Sequence, residues 1–220
     1  MKSFCATCCR PTNHKVLKEE KVSSADETGW WDESKYQIIQ CLGCDTISFR
    51  KLYNDVSYQS GFDEDMTTQE LFPKRGPHSR PIKSYRNLPV EIKKVYQETI
   101  DAYNNELPLL ASVGIRAVLE AICVEKKVEG GTYVNKNGKA IKSKKLDGKI
   151  YGLLEKGLLT PNNAELLHEL RFLGNAAIHE LTTPGLSKIS LALDIIELVI
   201  ENIYIARRKA HQLRSSRESK

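Results

Sequence analysis

TPNNAELLHELRFLGNAAIHE, residues 160–180, is the stretch from which the fold of most of the chain is read. Thr160 suits a helix N-cap, and Pro161 suits the first helical position, where its missing N–H costs nothing. Leu166, Leu167, Leu170, Leu173 and Ile178 recur at helical spacing, which predicts one amphipathic or buried helix. Arg171, Asn175 and His179 step along it four residues at a time. Four residues advance about 400° on a helix of ~3.6 residues per turn, so the three side chains form a slowly rotating polar ridge. A polar ridge on an apolar helix is costly unless it bonds something. What it bonds is the functional question.

Helix signals extend to both sides. Pro89 opens a helix with Val90, Ile92, Val95, Tyr96, Ile100 and Tyr103 on its apolar side, ending near Leu107. Pro108 opens the next, through Leu110, Val113, Ala117, Leu119 and Ile122, on which Arg116 and Glu120 stand four apart and can pair across one turn. Residues 145–156 form a shorter helix stopped by Gly157; after Pro184-Gly185, residues 187–208 form a long last one with Ile189, Leu193, Ile196, Val199, Ile200 and Ile203 inward. Short connections favour an antiparallel bundle. One connection differs: residues 126–149 hold eight lysines against Glu129 and Asp147 alone. Lys136, Lys139, Lys142, Lys144 and Lys145 in this loop, with Arg207 and Arg208 in the basic tail 207–220, are candidate contacts to RNA or DNA phosphates. The alternative is a solvated loop and a fraying tail.

Cys5-Ala-Thr-Cys8 and Cys41-Leu-Gly-Cys44 are two C-x-x-C pairs. Each places two thiolates on one side of a tight knuckle, and two knuckles complete a tetrahedral four-thiolate zinc shell. Residues 15–23, 35–41 and 46–53 read as strands around them, the layout of a zinc ribbon over residues 1–56. Cys9 is an alternative to Cys8 as ligand, and His14 a less favoured one. A shell of four cysteines is closed, so the zinc is expected to be structural, and so small a module could hardly fold without it. Trp30 and Trp31 between strands either stack on a base or pack on the module. Residues 57–87, with Pro73, Pro77 and Pro81, read as an extended connector that opens acidic and closes basic.

Composition bounds the rest. Hydrophobic residues at 40% suffice for a core, and the net charge of +5 is unevenly spread. Residues 1–10 hold no signal-peptide stretch, and Asp194, Glu197 and Glu201 interrupt the most apolar late stretch, which argues against a membrane span. A cytoplasmic setting follows as the expectation, with the clustered cysteines as metal ligands rather than disulfides. No phosphate-cradling G-x-x-x-x-G-K-[ST] loop and no G-x-S-x-G elbow is present. His168 shares a helix face with His179, but two histidines do not make a metal site.

Arg116-Ala-Val-Leu-Glu120 followed by Arg171-Phe-Leu-Gly-Asn175-Ala-Ala-Ile-His179 resembles the domain of unknown function 4145 family, a branch of the HEPN superfamily of higher eukaryote and prokaryote nucleotide-binding domains. The resemblance spans residues 88–206, and a leading cysteine-pair zinc ribbon is similar to what precedes many members. It implies an all-α bundle, often a homodimer, in prokaryotic conflict systems. Active HEPN proteins are metal-independent endoribonucleases with an Arg-Asn-x-x-x-His core, the histidine serving as base and the arginine at the phosphate. Asn175 and His179 match half of that core; the residue before Asn175 is Gly174, with Arg171 one turn earlier. The structural alternative is that Arg171, Asn175 and His179 hydrogen-bond within the bundle, with Arg116 or Glu120 as partners.

The expected fold is therefore mainly α, an antiparallel HEPN-like bundle (88–206) behind a small N-terminal β zinc-ribbon module (1–56), with a linker (57–87) and a basic tail (207–220). The expected function is a non-catalytic, nucleic-acid-associated accessory protein of prokaryotic defence. The alternatives are a HEPN-type ribonuclease using His179 and a protein-interaction or dimerisation domain with an unknown protein partner.

Overall fold

The computed structural model describes residues 1–25, 31–55, 67–134, 137–181 and 183–218. They fall into two compact units, Met1–Pro81 and Ile82–Lys220.

In the first unit, β1 (Lys2–Cys5), β2 (Arg10–Ala25), β3 (Trp31–Cys41), β4 (Ile47–Asp55) and β5 (Thr68–Phe72) form one sheet in that order, every neighbouring pair antiparallel. This corrects the expectation of a mainly α chain with a small β module. The protein is mixed α/β, and its N-terminal sheet has five strands, of which β2 and β3 run 16 and 11 residues. Two physical reasons hid it. Residues 15–23, 35–41 and 46–53 do read as strands, but β1 has only four residues and the start of β2, from Arg10, is a polar run with no alternation to extend the reading. β5 lies beside the prolines of the expected connector and is held by pairing with β4, Phe72 opposite Phe49, rather than by local pattern. A bulge at Leu17 shifts the β2–β3 register.

The interior of this sheet is thin in apolar residues: Cys5, Ile39, Cys41 and Leu71. Buried polar groups share it. Arg50 donates to Gln37 (2.7 Å) and to Gln69 (3.2 Å), and Gln37 donates in turn to Glu19. Arg75 donates from Nε to the Phe4 carbonyl (2.8 Å), from Nη1 to the Pro73 carbonyl (3.0 Å) and from Nη2 to Ser48 (2.6 Å). These bonds satisfy guanidinium groups that burial would otherwise penalise.

In the second unit, α1 (Val90–Asn104), α2 (Pro108–Glu125), α3 (Leu146–Glu155), α4 (Pro161–His179) and α5 (Leu186–Ile200) enclose the main core; a π-helical stretch (Glu201–Ala206) joins α5 to α6 (Arg207–Glu218). α2 packs against α1, α3, α4 and α5, and its Ile115, Leu119 and Ile122 are fully buried. The lysine-rich connection is not a bare loop: β6 (Gly131–Val134) and β7 (Ala140–Ser143) form a hairpin. Ahead of α1, Lys83 pairs with the buried Glu197 of α5 at 2.9 Å, and Tyr96 donates to the same carboxylate at 2.9 Å. Among the described residues no helix is long and apolar enough to cross a membrane.

Candidate functional site

On α4 the Thr160 side chain accepts from Asn163 N–H at 3.3 Å, as an N-cap should. The buried stripe is Ala164, Leu167, Leu170, Gly174 and Ala177, while Leu166 and Ile178 of the expected apolar set are exposed. Arg171, Asn175 and His179 therefore stand beside the core-facing stripe rather than in it. Together they form one wall of a cavity of about 520 Å³. Arg116 and Glu120 of α2 line it, as do Lys144, Lys145, Leu146, Asp147 and Lys149 from the turn after β7 and the start of α3.

Glycines place that far wall. A Cβ on Gly131 would lie 2.3 Å from the Gly152 nitrogen, and one on Gly148 would lie 2.0 Å from the Ser143 carbonyl oxygen. The hairpin thus sits backbone to backbone on α3, an approach that only glycine allows. Asp147 then closes the turn, accepting from the Ser143 hydroxyl and the Gly148 N–H, each at 2.7 Å. Burial pushes its carboxyl up, but the Ser143 and Gly148 hydrogen bonds and the Arg171 charge together hold it below the usual aspartate range. Tyr133 stacks on Tyr151 (5.1 Å between centroids) and His168 lies tilted against Tyr151 (4.9 Å), tying hairpin, α3 and α4 together.

The cavity is basic, with five lysine and arginine side chains against two carboxylates. Glu120 takes Lys149 at 2.8 Å and Arg116 Nη2 at 3.6 Å. Arg116 Nη1 and Arg171 Nε are buried and have no hydrogen-bond partner among the described residues. An arrangement of this kind can receive an anion and deliver an imidazole beside it.

Of the sequence candidates, the structure brings Arg171, Asn175, His179, Lys144 and Lys145 into this one cavity. Lys139 and Lys142 lie on the hairpin away from its lining, and Lys136 lies outside the described residues, as does Trp30. Arg207 begins α6; Arg208 lines a separate depression with Arg86 and Lys209. Sequence reasoning did not foresee Lys149 and Asp147 as members of the site. Arg116 and Glu120 were read as a pair four residues apart and as possible partners of Arg171, Asn175 and His179, and they line the same cavity.

In the first unit the Sγ atoms of Cys5, Cys8, Cys41 and Cys44 all lie within 4.8 Å of one another, with Cys5–Cys44 at 3.5 Å and Cys8–Cys41 at 3.9 Å. Tetrahedral coordination with ~2.3 Å metal–sulfur bonds asks for about 3.8 Å between sulfurs, so the four thiols fit a metal ion. The two knuckles share a backbone device: Cys9 and Asp45, the residues that follow them, have positive φ (52° and 59°). That turn sends Cys9 outward, its Sγ donating to the Ala6 carbonyl at 3.2 Å, and so Cys8 rather than Cys9 joins the cluster. His14 is buried against the Thr12 carbonyl (3.0 Å) and stays out of it. The Thr12 hydroxyl holds the Cys41 thiol down to about 6, and the Thr46 hydroxyl lowers that of Cys44.

The chain thus has a sheet unit carrying a four-cysteine site and a helical unit carrying a basic cleft. The chain matches the family model described as domain of unknown function (DUF4145) over residues 97–216, more than half its length, and it belongs to that family. No curated protein and no solved structure matches it.

Proposed function

We propose that this is a nucleic-acid-binding accessory protein whose HEPN-like helical unit takes backbone phosphates into the cleft of Arg116, Lys144, Lys145, Arg171, Asn175 and His179. One observation carries the reading: five cations from α2, α3, α4 and the turn after β7 surround one cavity against two carboxylates, with buried guanidinium N–H groups lacking partners. The four-cysteine site holds structural zinc in this reading, the ion that a closed thiolate shell prefers. Prokaryotic defence is the setting that the family resemblance supplies, with a homodimer as the working form.

A second reading is supported by the position of His179. Its imidazole is exposed in the same cavity as Asn175 and the cations. As a base it would take the proton of a ribose 2′-hydroxyl; the 2′-oxygen would attack phosphorus, leaving a 2′,3′-cyclic phosphate and a 5′-hydroxyl protonated from water. No metal enters that step.

The test uses the full chain with labelled single-stranded RNA and duplex DNA, without added divalent metal, across a salt series. Binding that weakens steeply from low to physiological salt is the expected result. RNA cleavage by wild type that His179→Ala abolishes would select the ribonuclease reading. Neither binding nor cleavage would sink both and leave a protein-interaction domain.

A further inference from the structure

We propose that Arg116 and Arg171 form a two-guanidinium clamp on a single phosphate group, and that Gly174 is the seat that lets Arg116 reach it. The proposal rests on the reading of the cleft as a nucleic-acid site and adds which groups fix the phosphate.

The argument begins at the crossing of α2 and α4. Gly174 is buried, and a Cβ there would lie 2.7 Å from Arg116 Cβ, 3.3 Å from its Cδ and 3.4 Å from its Cγ. The stem of Arg116 therefore lies along the backbone of α4 at Gly174, and its guanidinium lines the same cavity as Asn175. Any side chain at position 174 would displace that stem near its root, where it cannot swing aside.

Two of the guanidinium donors have no partner among the described residues. Arg116 Nη2 lies 3.6 Å from Glu120, too far for a hydrogen bond, and Nη1 is buried without a partner. Arg171 enters from α4 with its guanidinium 4.2 Å from the centre of the Phe172 ring and its Nε buried and unpartnered. Desolvated N–H groups on two like charges are costly, and an anion that accepts from both removes the cost. Arginine forks match the several oxygens of a phosphate. The lysines are placed for another part. Lys144 and Lys145 are exposed, and Lys149 is held by Glu120 at 2.8 Å, so they supply attraction rather than position.

The experiment measures anisotropy of labelled short single-stranded RNA, with and without a 5′-phosphate, on the full chain. Wild type is compared with R116K, R171K, G174A and the double variant R116K/G174A, their fold checked by circular dichroism. Each single change is expected to weaken binding about tenfold, since charge is kept in both lysine variants while the fork is lost. In the double variant G174A should add little to R116K, because both act through one group. A loss confined to the 5′-phosphorylated RNA assigns the clamp to a terminal phosphate, and an equal loss on both RNAs assigns it to the phosphodiester backbone. Wild type that fails to bind overturns the nucleic-acid reading itself. Wild type that binds while R116K binds as tightly overturns the clamp and leaves that reading standing; R116K keeps the test decisive if G174A does not fold.

Discussion

His168 shows how much one side chain's surroundings decide. It stands one helical turn before Arg171, its ring tilted against Tyr151 at 4.9 Å, with Nε2 buried and unpartnered. Burial lowers its pKa and the Arg171 charge lowers it further, against smaller opposing effects of Asp147 and Glu169. The sign follows. The unfolded chain binds a proton near ~6.5 that the folded chain resists, so stability is present above that pH and lost as pH falls through it. His168→Phe keeps an aromatic ring against Tyr151 and removes the proton. Between pH 7.5 and 5.5 the thermal midpoint of wild type should fall more than that of the variant. Equal falls would mean that His168 does not titrate across folding. From the sequence this residue was only a second histidine on one helix face, because no periodicity reports what packs against it.

At the scale of elements, α4 was largely legible. Its cap, its length and the spacing of Arg171, Asn175 and His179 follow from helical geometry and local side-chain chemistry. Its buried face was less so, since Gly174 and Ala177 are inside while Leu166 and Ile178 are not. A helix packs closest through its small residues, and hydrophobicity alone does not rank them. The β6–β7 hairpin read as a loop because its support comes from α3, not from its own four-residue strands. Gly152→Ala tests that support. The new methyl would lie 2.2 Å from the Gly130 carbonyl oxygen and 2.6 Å from Val128 Cγ1, so the hairpin must lift from α3. Overpacking of this kind costs about 1–3 kcal/mol. We expect a lowered thermal midpoint together with weakened RNA binding, as Lys144 and Lys145 leave their places. An unchanged midpoint would mean that the hairpin does not dock there.

At the scale of the whole molecule, the two units draw stability from different sources. The helical unit has a continuous core running from Tyr85 to Ile203. Among its described residues the sheet unit buries four apolar ones of its own, and it depends on hydrogen-bonded arginines and on the four thiols. Cys41→Ser in the full chain should therefore abolish metal binding at the four thiols, zinc in the function proposed above, together with the strand signal in circular dichroism, while the helical signal keeps a cooperative melt. Zinc content that stays at a full equivalent after the change would show that the four-cysteine assignment is wrong.

By itself the sequence determined what lies within a few residues: the paired C-x-x-C knuckles, the helix starts at Pro108 and Thr160-Pro161, and the polar ridge of α4. Backbone geometry sets those spacings wherever the segment ends up. Tertiary structure alone decided the five-stranded sheet, the exclusion of Cys9, and the meeting of Asp147 and Lys149 with Arg171 and His179. These depend on contacts between residues far apart in the chain. Close approach at glycines and pairing along strands, not local pattern, select them.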